Sequence, residues 1–70
     1  MTDRPSPILR WFDFAHLPDD LQSTSVEFYD LAHRLEIVLP SGAEKSTALR
    51  KLLEAKDAAV RATIELTERA

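Results

Sequence analysis

The chain has 70 residues, of which 44% are hydrophobic and 30% charged, and its formal net charge is −3. This composition is typical of one small globular helical domain, and it argues against disorder and against a basic nucleic-acid-binding domain. There is no cysteine, which excludes disulfides and thiolate metal sites. A domain this small buries little surface, so we expect oligomerisation to contribute to its stability.

Nothing in the sequence indicates a membrane segment, a cofactor or a reaction. No apolar run approaches the roughly 20 residues that span a bilayer, and the N-terminus lacks the apolar core of a signal peptide. We therefore expect a cytoplasmic protein. His16 and His33 form no recognisable metal-ligand set, and no catalytic motif is present. The sequence thus predicts a protein that is not an enzyme and has no cofactor.

The N-terminal part divides into a proline-containing arm and an aromatic segment. Residues 1–9 contain Pro5 and Pro7 and are predicted to be a mobile arm, followed by a helical domain over residues 10–70. An extended backbone would place Phe12, Phe14 and His16 on one side. These rings either cap the core of a helix hairpin or stack on a flat ligand, and the two interpretations are compatible if only one ring is exposed.

A first helix is predicted from about Ser25 to Leu39. Thr24 and Glu27 fit a capping box at its start, and Pro40 ends it. Arg34 and Glu36 are expected to point away from its apolar face. That face follows helical spacing through Phe28, Leu31, Ala32, Leu35 and Val38.

A second, longer helix is predicted from Gly42 or Ala43 to about Leu66, with Ser41 and Glu44 as its capping box. Because the link after the first helix is short, the two helices should be antiparallel neighbours. The sequence therefore predicts an all-α fold, an antiparallel two-helix hairpin. We expect residues 10–18 to fold back and cover the part of the longer helix that the shorter one cannot reach.

The second helix has two apolar stripes, more than one neighbouring helix covers. We expect the alanine-rich stripe to face the first helix and the larger stripe to face another copy of the chain. The alternative is that residues 10–18 cover the larger stripe within one subunit. The alanine-rich stripe comprises Ala48, Leu52, Ala55, Ala59, Ala62 and Leu66; the larger one comprises Leu49, Leu53, Val60 and Ile64, with Lys56 interrupting it.

Cationic and hydroxyl side chains on the second helix could bind an anion. Lys45, Ser46 and Thr47 lie in its first turn, where free backbone N–H groups and the helix dipole favour phosphate. Lys56 is either a snorkelling lysine or a cation held for an anion. Arg50 and Arg61 fit i,i+4 salt bridges with Glu54 and Asp57 as well as phosphate contacts.

The order of these features resembles the hairpin domain of phage-encoded nucleotide sponges that counter the bacterial CBASS and Thoeris defences. The resemblance rests on FDFAHLPDDLQ, on FYDLAHRL, and on LPSGAEKSTALRKLLEAKDAAVRA, and it covers about residues 10–64. It implies a helical homo-oligomer, a hexamer in the family, that binds cyclic di- or trinucleotides or cyclic ADP-ribose isomers between subunits. It also implies that the signal is held intact in the cytoplasm of the infected bacterium, so that the defence is not triggered.

On these combined grounds, we expect aromatic rings to stack on the bases of the ligand and side chains of the second helix to bind its phosphates. The expected ligand-binding residues are Phe12, Phe14, His16, Lys45, Ser46, Thr47, Arg50, Lys56 and Arg61. The alternative function is an oligomeric helical-hairpin interaction module that binds no small molecule. In that case Arg50, Lys56 and Arg61 would be replaceable by other polar residues.

Overall fold

The computed structural model describes residues 5–69, without the side chains of residues 67 and 69, and this part of the chain is helical with no strand. A 3-10 helix over Pro7–Phe12 precedes two long helices, α1 over Asp19–Val38 and α2 over Ala43–Arg69. The long helices pack side by side and run in opposite directions across a four-residue link, residues 39–42. The predicted all-helical hairpin is confirmed.

The first helix begins six residues earlier than the predicted Ser25, so the capping box predicted at Thr24 is wrong. Pro18 is the N-cap, and Asp19 and Asp20 place negative charge in the first turn, where the helix dipole favours it. Thr24 lies inside the helix, and its Oγ1 is 2.7 Å from Oγ1 of Thr63 on α2. A hydroxyl residue is therefore weak evidence for a helix N-cap when a tertiary contact offers its side chain another partner.

The link between the helices follows from one proline and one glycine. Leu39 caps α1 in an extended conformation, with φ −89° and ψ 138°, as expected for the residue before Pro40. Gly42 has φ +155°, a conformation that side-chain-bearing residues rarely adopt, and its carbonyl accepts the N–H of Ser46 at 3.1 Å. Because α2 begins at Ala43, Glu44 is only its second residue, and the capping box predicted over Ser41–Glu44 is out of register by one position.

The N-terminal segment packs on the hairpin from Ser6 onward. Phe12 is completely buried and Leu9 is 8% exposed. Ser6 donates to the Glu36 carboxylate from its backbone N–H at 2.9 Å and from its hydroxyl at 2.6 Å. The predicted boundary between residues 9 and 10 therefore falls inside a packed helix, and an arm does not fit residues 6–9. Residues 1–4 lie outside the described part.

The core forms where the 3-10 helix meets α1 and α2. Its buried members are Leu9, Phe12, Ala32 and Leu49. Partly buried side chains pack around them: Ile8, Phe28, Tyr29, Leu35, Leu52 and Leu53. Leu49 and Leu53 belong to the larger stripe of α2, so this stripe is covered within one subunit from its start to Lys56. The expectation that it faces another copy is wrong for this part of the helix.

The exposed side of the hairpin also differs from the expectation. Ala55, Ala62 and Leu66 of the alanine-rich stripe are exposed. Val38, predicted on the buried face of the first helix, is 68% exposed, and Ile37 is 83% exposed. The N-terminal segment packs on α1, as α2 does. The helical period alone does not show where on α1 this segment lies.

Glu36 of α1, predicted to point outward, instead bonds to the N-terminal segment and to α2. Besides the two bonds from Ser6, it forms an ion pair with Lys45, with Nζ 3.2 Å from Oε1. The Lys45 ammonium also donates to the backbone carbonyl of Glu36 at 2.9 Å. The hydrogen bond from the Ser6 side chain, its backbone N–H and the Lys45 charge together lower the pKa of Glu36, against the opposing effect of burial.

Replacing Leu49 by alanine should lower the free energy of unfolding by about 2–5 kcal/mol, because the side chain is fully buried and its removal leaves a cavity. Urea denaturation followed by circular dichroism measures this change. The control is Leu66→Ala on the same helix, where the side chain is 70% exposed and the expected loss is about 0.5 kcal/mol or less. Equal losses would contradict the placement of the core.

Glu36 should also make stability pH-dependent. Its folded-state pKa is lowered, so its contribution is present above the ordinary glutamate pKa of 4.5 and is lost as the pH falls from there through the folded-state pKa. Glu36→Gln should remove this part of the acid sensitivity in urea titrations between neutral pH and the acid range. Glu27→Gln, at an exposed position on the same helix, is the control. An unchanged pH profile in Glu36→Gln would refute the role of the carboxylate.

Candidate functional site

A cleft of about 400 Å³ lies between the N-terminal segment and the middle of α2. Three lining residues come from the N-terminal segment and three from α2. They are Arg10, Trp11 and His16, and Leu53, Lys56 and Asp57. We call this the Trp11 cleft. It exists because the 3-10 helix directs Phe12 into the core and leaves Trp11 at the surface beside α2.

Lys56 is the most unusual group in the Trp11 cleft. It is 8% exposed, and its ammonium donates to the backbone carbonyl of Trp11 at 2.8 Å. Within residues 5–69, no carboxylate oxygen lies within ion-pair distance of this ammonium. A buried charge is costly unless it is paired, and an ammonium has three N–H donors. Lys56 therefore has charge and donors left that a bound anion could satisfy.

Trp11 supplies a flat ring beside this cation. Its side chain is 56% exposed, and the guanidinium carbon of Arg10 lies 4.8 Å from its ring centroid, a cation–π contact. His16 is exposed in the turn that follows. An aromatic ring, a guanidinium and a buried ammonium thus meet in one cleft, which suits a ligand with a planar part and a negative charge.

From the sequence, Trp11 was not placed in the site, because the side that carries Phe12, Phe14 and His16 was expected to meet the ligand. In an extended strand, Phe12, Phe14 and His16 would share a side, whereas the helical backbone of residues 7–12 changes which neighbours face together. The signal for that helix was present in Ser6 and Pro7, since proline is favoured in a first helical turn. An extended backbone would also have placed Trp11 opposite Phe12, so what the sequence could not show is that Phe12 enters the core while Trp11 stays at the surface.

Two of the three predicted stacking rings are not available as a platform. Phe12 is 0% exposed, so its assignment to the ligand site is wrong. Phe14 is half-buried and packs edge-on against Tyr29, with ring centroids 5.1 Å apart and an interplanar angle of 78°. The Tyr29 ring in turn packs against the His33 ring, with ring centroids 4.1 Å apart. Only His16 of the three lines the Trp11 cleft.

The first turn of α2 also differs from the predicted phosphate site. The Lys45 ammonium is held by Glu36, which stabilises the hairpin end and leaves little of the cation to a ligand. Thr47 is half-buried. Ser46 and Arg50 line a separate cleft of about 300 Å³ with Ser6, Pro7 and Ile8. The residues of the predicted first-turn cluster therefore do not form one site: Lys45 pairs with Glu36, whereas Ser46 lines the separate cleft.

Arg50 and Arg61 of α2 are exposed, but neither forms the predicted i,i+4 ion pair in the described part of the chain. Glu54 pairs with Lys51 at 3.7 Å instead of with Arg50. Arg61 lies one turn beyond Asp57 without an ion pair to it. Of the nine predicted ligand-binding residues, the Trp11 cleft brings together His16 and Lys56.

Residues 5–69 contain neither a metal-binding group nor a membrane-spanning helix. In this described part of the chain, no group of three or more histidine and acidic side chains is placed to hold a metal ion. Neither α1 nor α2, as far as each is described, contains a stretch long and apolar enough to cross a bilayer. The chain matches no protein-family model, no curated protein and no solved structure. The Trp11 cleft must therefore be interpreted from its own geometry.

Replacing Lys56 by methionine should leave the free energy of unfolding unchanged or raise it, because an apolar side chain of similar length suits a buried site better than an unpaired charge. Thermal and urea denaturation measure the change. Lys56→Ala is the matched control and should destabilise, since it also removes the buried methylenes. A loss of about 2 kcal/mol or more in Lys56→Met would instead mean that the bond to Trp11 holds the segment in place.

Proposed function

We propose that this protein binds cyclic oligonucleotide signals in the Trp11 cleft and sequesters them intact. The candidate ligands are cyclic di- and trinucleotides and cyclic ADP-ribose isomers, and the consequence is that bacterial anti-phage defence is blocked in the cytoplasm of the infected cell. The observation that carries the proposal is the buried Lys56 ammonium, which has no carboxylate partner in the described part of the chain and lies beside an exposed tryptophan ring.

The chemistry of the cleft favours a nucleotide over a simple anion. Stacking of a base on an aromatic side chain contributes about 1–3 kcal/mol in proteins that bind single-stranded nucleic acid. Arg10 can bind phosphate through its planar guanidinium, and Lys56 supplies a point charge close by. A base on the Trp11 ring and a phosphate between these cations would use each of the three groups.

The size of the cleft supports binding between subunits. At about 400 Å³ it is near the lower end of small-molecule sites, which range from about 300 to 1,000 Å³. One nucleotide fits this volume better than a whole cyclic di- or trinucleotide does. A homo-oligomer, the hexamer implied by the resemblance, would cover the remainder of the ligand with a second copy. Exposed Ile37, Val38 and Leu66 offer apolar surface for such contacts.

Isothermal titration with a panel of cyclic di- and trinucleotides and cyclic ADP-ribose isomers should detect binding, and chromatography should recover the ligand intact. Lys56→Met should weaken binding by tenfold or more, because a charge-assisted hydrogen bond contributes about 1.5–3 kcal/mol. Lys51→Met, at an exposed position with its own ion pair to Glu54, is the control and should bind normally. Loss of the ligand during incubation would point to catalysis.

A second candidate function is an oligomeric hairpin that binds another protein and no small molecule. The observation in its favour is the adjacent pair Ile37 and Val38 at the end of α1, where both side chains are largely exposed. No binding across the ligand panel, with self-association or partner binding lost in Ile37→Ser, would favour this function. Ligand binding that depends on Lys56 would exclude it as the sole role.

A further inference from the structure

Asp57 is a carboxylate in a cleft whose other charged groups, Arg10 and Lys56, attract anions. It is exposed, and no hydrogen bond or ion pair to it is found among residues 5–69, including the i,i+4 pair with Arg61 that its spacing suggests. A free carboxylate repels a phosphate placed beside it. An anionic ligand that also offers hydrogen-bond donors to Asp57 therefore fits the cleft better than one that does not.

We infer that the Trp11 cleft selects guanine, with the carboxylate of Asp57 accepting the N1–H and the 2-amino group of the base. This inference rests on the proposed function and names the base that the cleft prefers. It combines three features of the lining: the Trp11 ring for stacking, the two cations for phosphate, and one acceptor-only side chain for the edge of the base.

Among the common bases, guanine matches a carboxylate best. Its N1–H and 2-amino donors are adjacent and parallel, so both carboxylate oxygens can accept at once. Adenine presents its 6-amino donor next to the N1 acceptor, and cytosine presents its 4-amino donor next to the N3 acceptor, so each would bring a lone pair against a carboxylate oxygen. Uracil has a single N3–H between two carbonyl acceptors.

The positions of four lining side chains agree with one bound nucleotide. Lys56 and Asp57 are consecutive on α2, with Lys56 buried and Asp57 exposed, while Trp11 and Arg10 face them from the 3-10 helix. The phosphate is then bound next to the buried Lys56, and the edge of the base is recognised by the exposed Asp57. Stacking on aromatic rings with readout of the base edge is the usual way in which proteins select unpaired bases.

The test uses the fluorescence of Trp11, the only tryptophan of the chain, during titration with cyclic di-GMP and cyclic di-AMP. The two probes have the same sugar-phosphate ring and equal charge, and they differ only in their bases. We expect cyclic di-GMP to bind about tenfold or more tightly, and cyclic di-IMP, which lacks the 2-amino group, to fall between them. Asp57→Asn should remove most of this preference, because asparagine offers one acceptor and one donor group.

The control is Glu54→Gln, three positions earlier and outside the lining of the cleft, which should keep the preference for guanine. Circular dichroism confirms that each variant is folded. Equal affinities for the two probes, or a gain in Asp57→Asn that is the same for both, would overturn the inference and leave the proposed function standing. Binding of neither probe, nor of any member of the ligand panel, would overturn both.

Discussion

The complete burial of Phe12 fixes the orientation of the whole N-terminal segment. Its ring enters the core beside Leu9, Ala32 and Leu49, which joins the 3-10 helix to both long helices. With Phe12 directed inward, the neighbouring Trp11 is left at the surface, and its backbone carbonyl comes within reach of Lys56. The Trp11 cleft is therefore a consequence of core packing, and its rigidity depends on that packing.

Two lysines of α2 show how the same side chain can have different roles. Both Lys45 and Lys56 donate to a backbone carbonyl in another part of the chain. Lys45 also has the Glu36 carboxylate at 3.2 Å, and Glu36 is itself bonded to Ser6, so this charge is compensated within the fold. Lys56 has no such carboxylate in the described residues. A search for lysines at a helix start would choose Lys45, whereas burial without a carboxylate partner selects Lys56.

The two long helices and their connection could be predicted from the sequence, apart from the first six residues of α1, because proline, glycine and helical periodicity act locally. Pro40 and Gly42 determine the link, and the run without glycine or proline after it gives α2. The N-terminal segment could not be predicted in the same way. Its position depends on which groove Phe12 fills and on the bond between Ser6 and Glu36, which are 30 positions apart.

The candidate site was predicted only in part for the same reason. Lys56 could be found because it interrupts an apolar stripe, and His16 because it lies in the aromatic segment. Trp11 lies in the same aromatic segment but on the opposite side of the expected extended backbone, and Asp57 gave no signal, since it is an ordinary exposed residue until the 3-10 helix and α2 come together. Residues chosen for helix-terminus chemistry, such as Lys45, were assigned without knowledge of their tertiary partners.

The two halves of the hairpin differ in how well they are packed, and this difference links assembly to binding. The N-terminal segment covers the half near the link. Towards the other end the helices meet through the hydroxyls of Thr24 and Thr63, and the hydroxyl of Ser25 is buried without a hydrogen-bond partner among the described residues. A buried hydroxyl without a partner costs about 1–3 kcal/mol, which weakens this end of the hairpin. The Trp11 cleft lies near the middle of α2, next to the weaker half. A ligand that joins two copies there would stabilise the folded assembly over separate chains, because binding to one state shifts the equilibrium towards it.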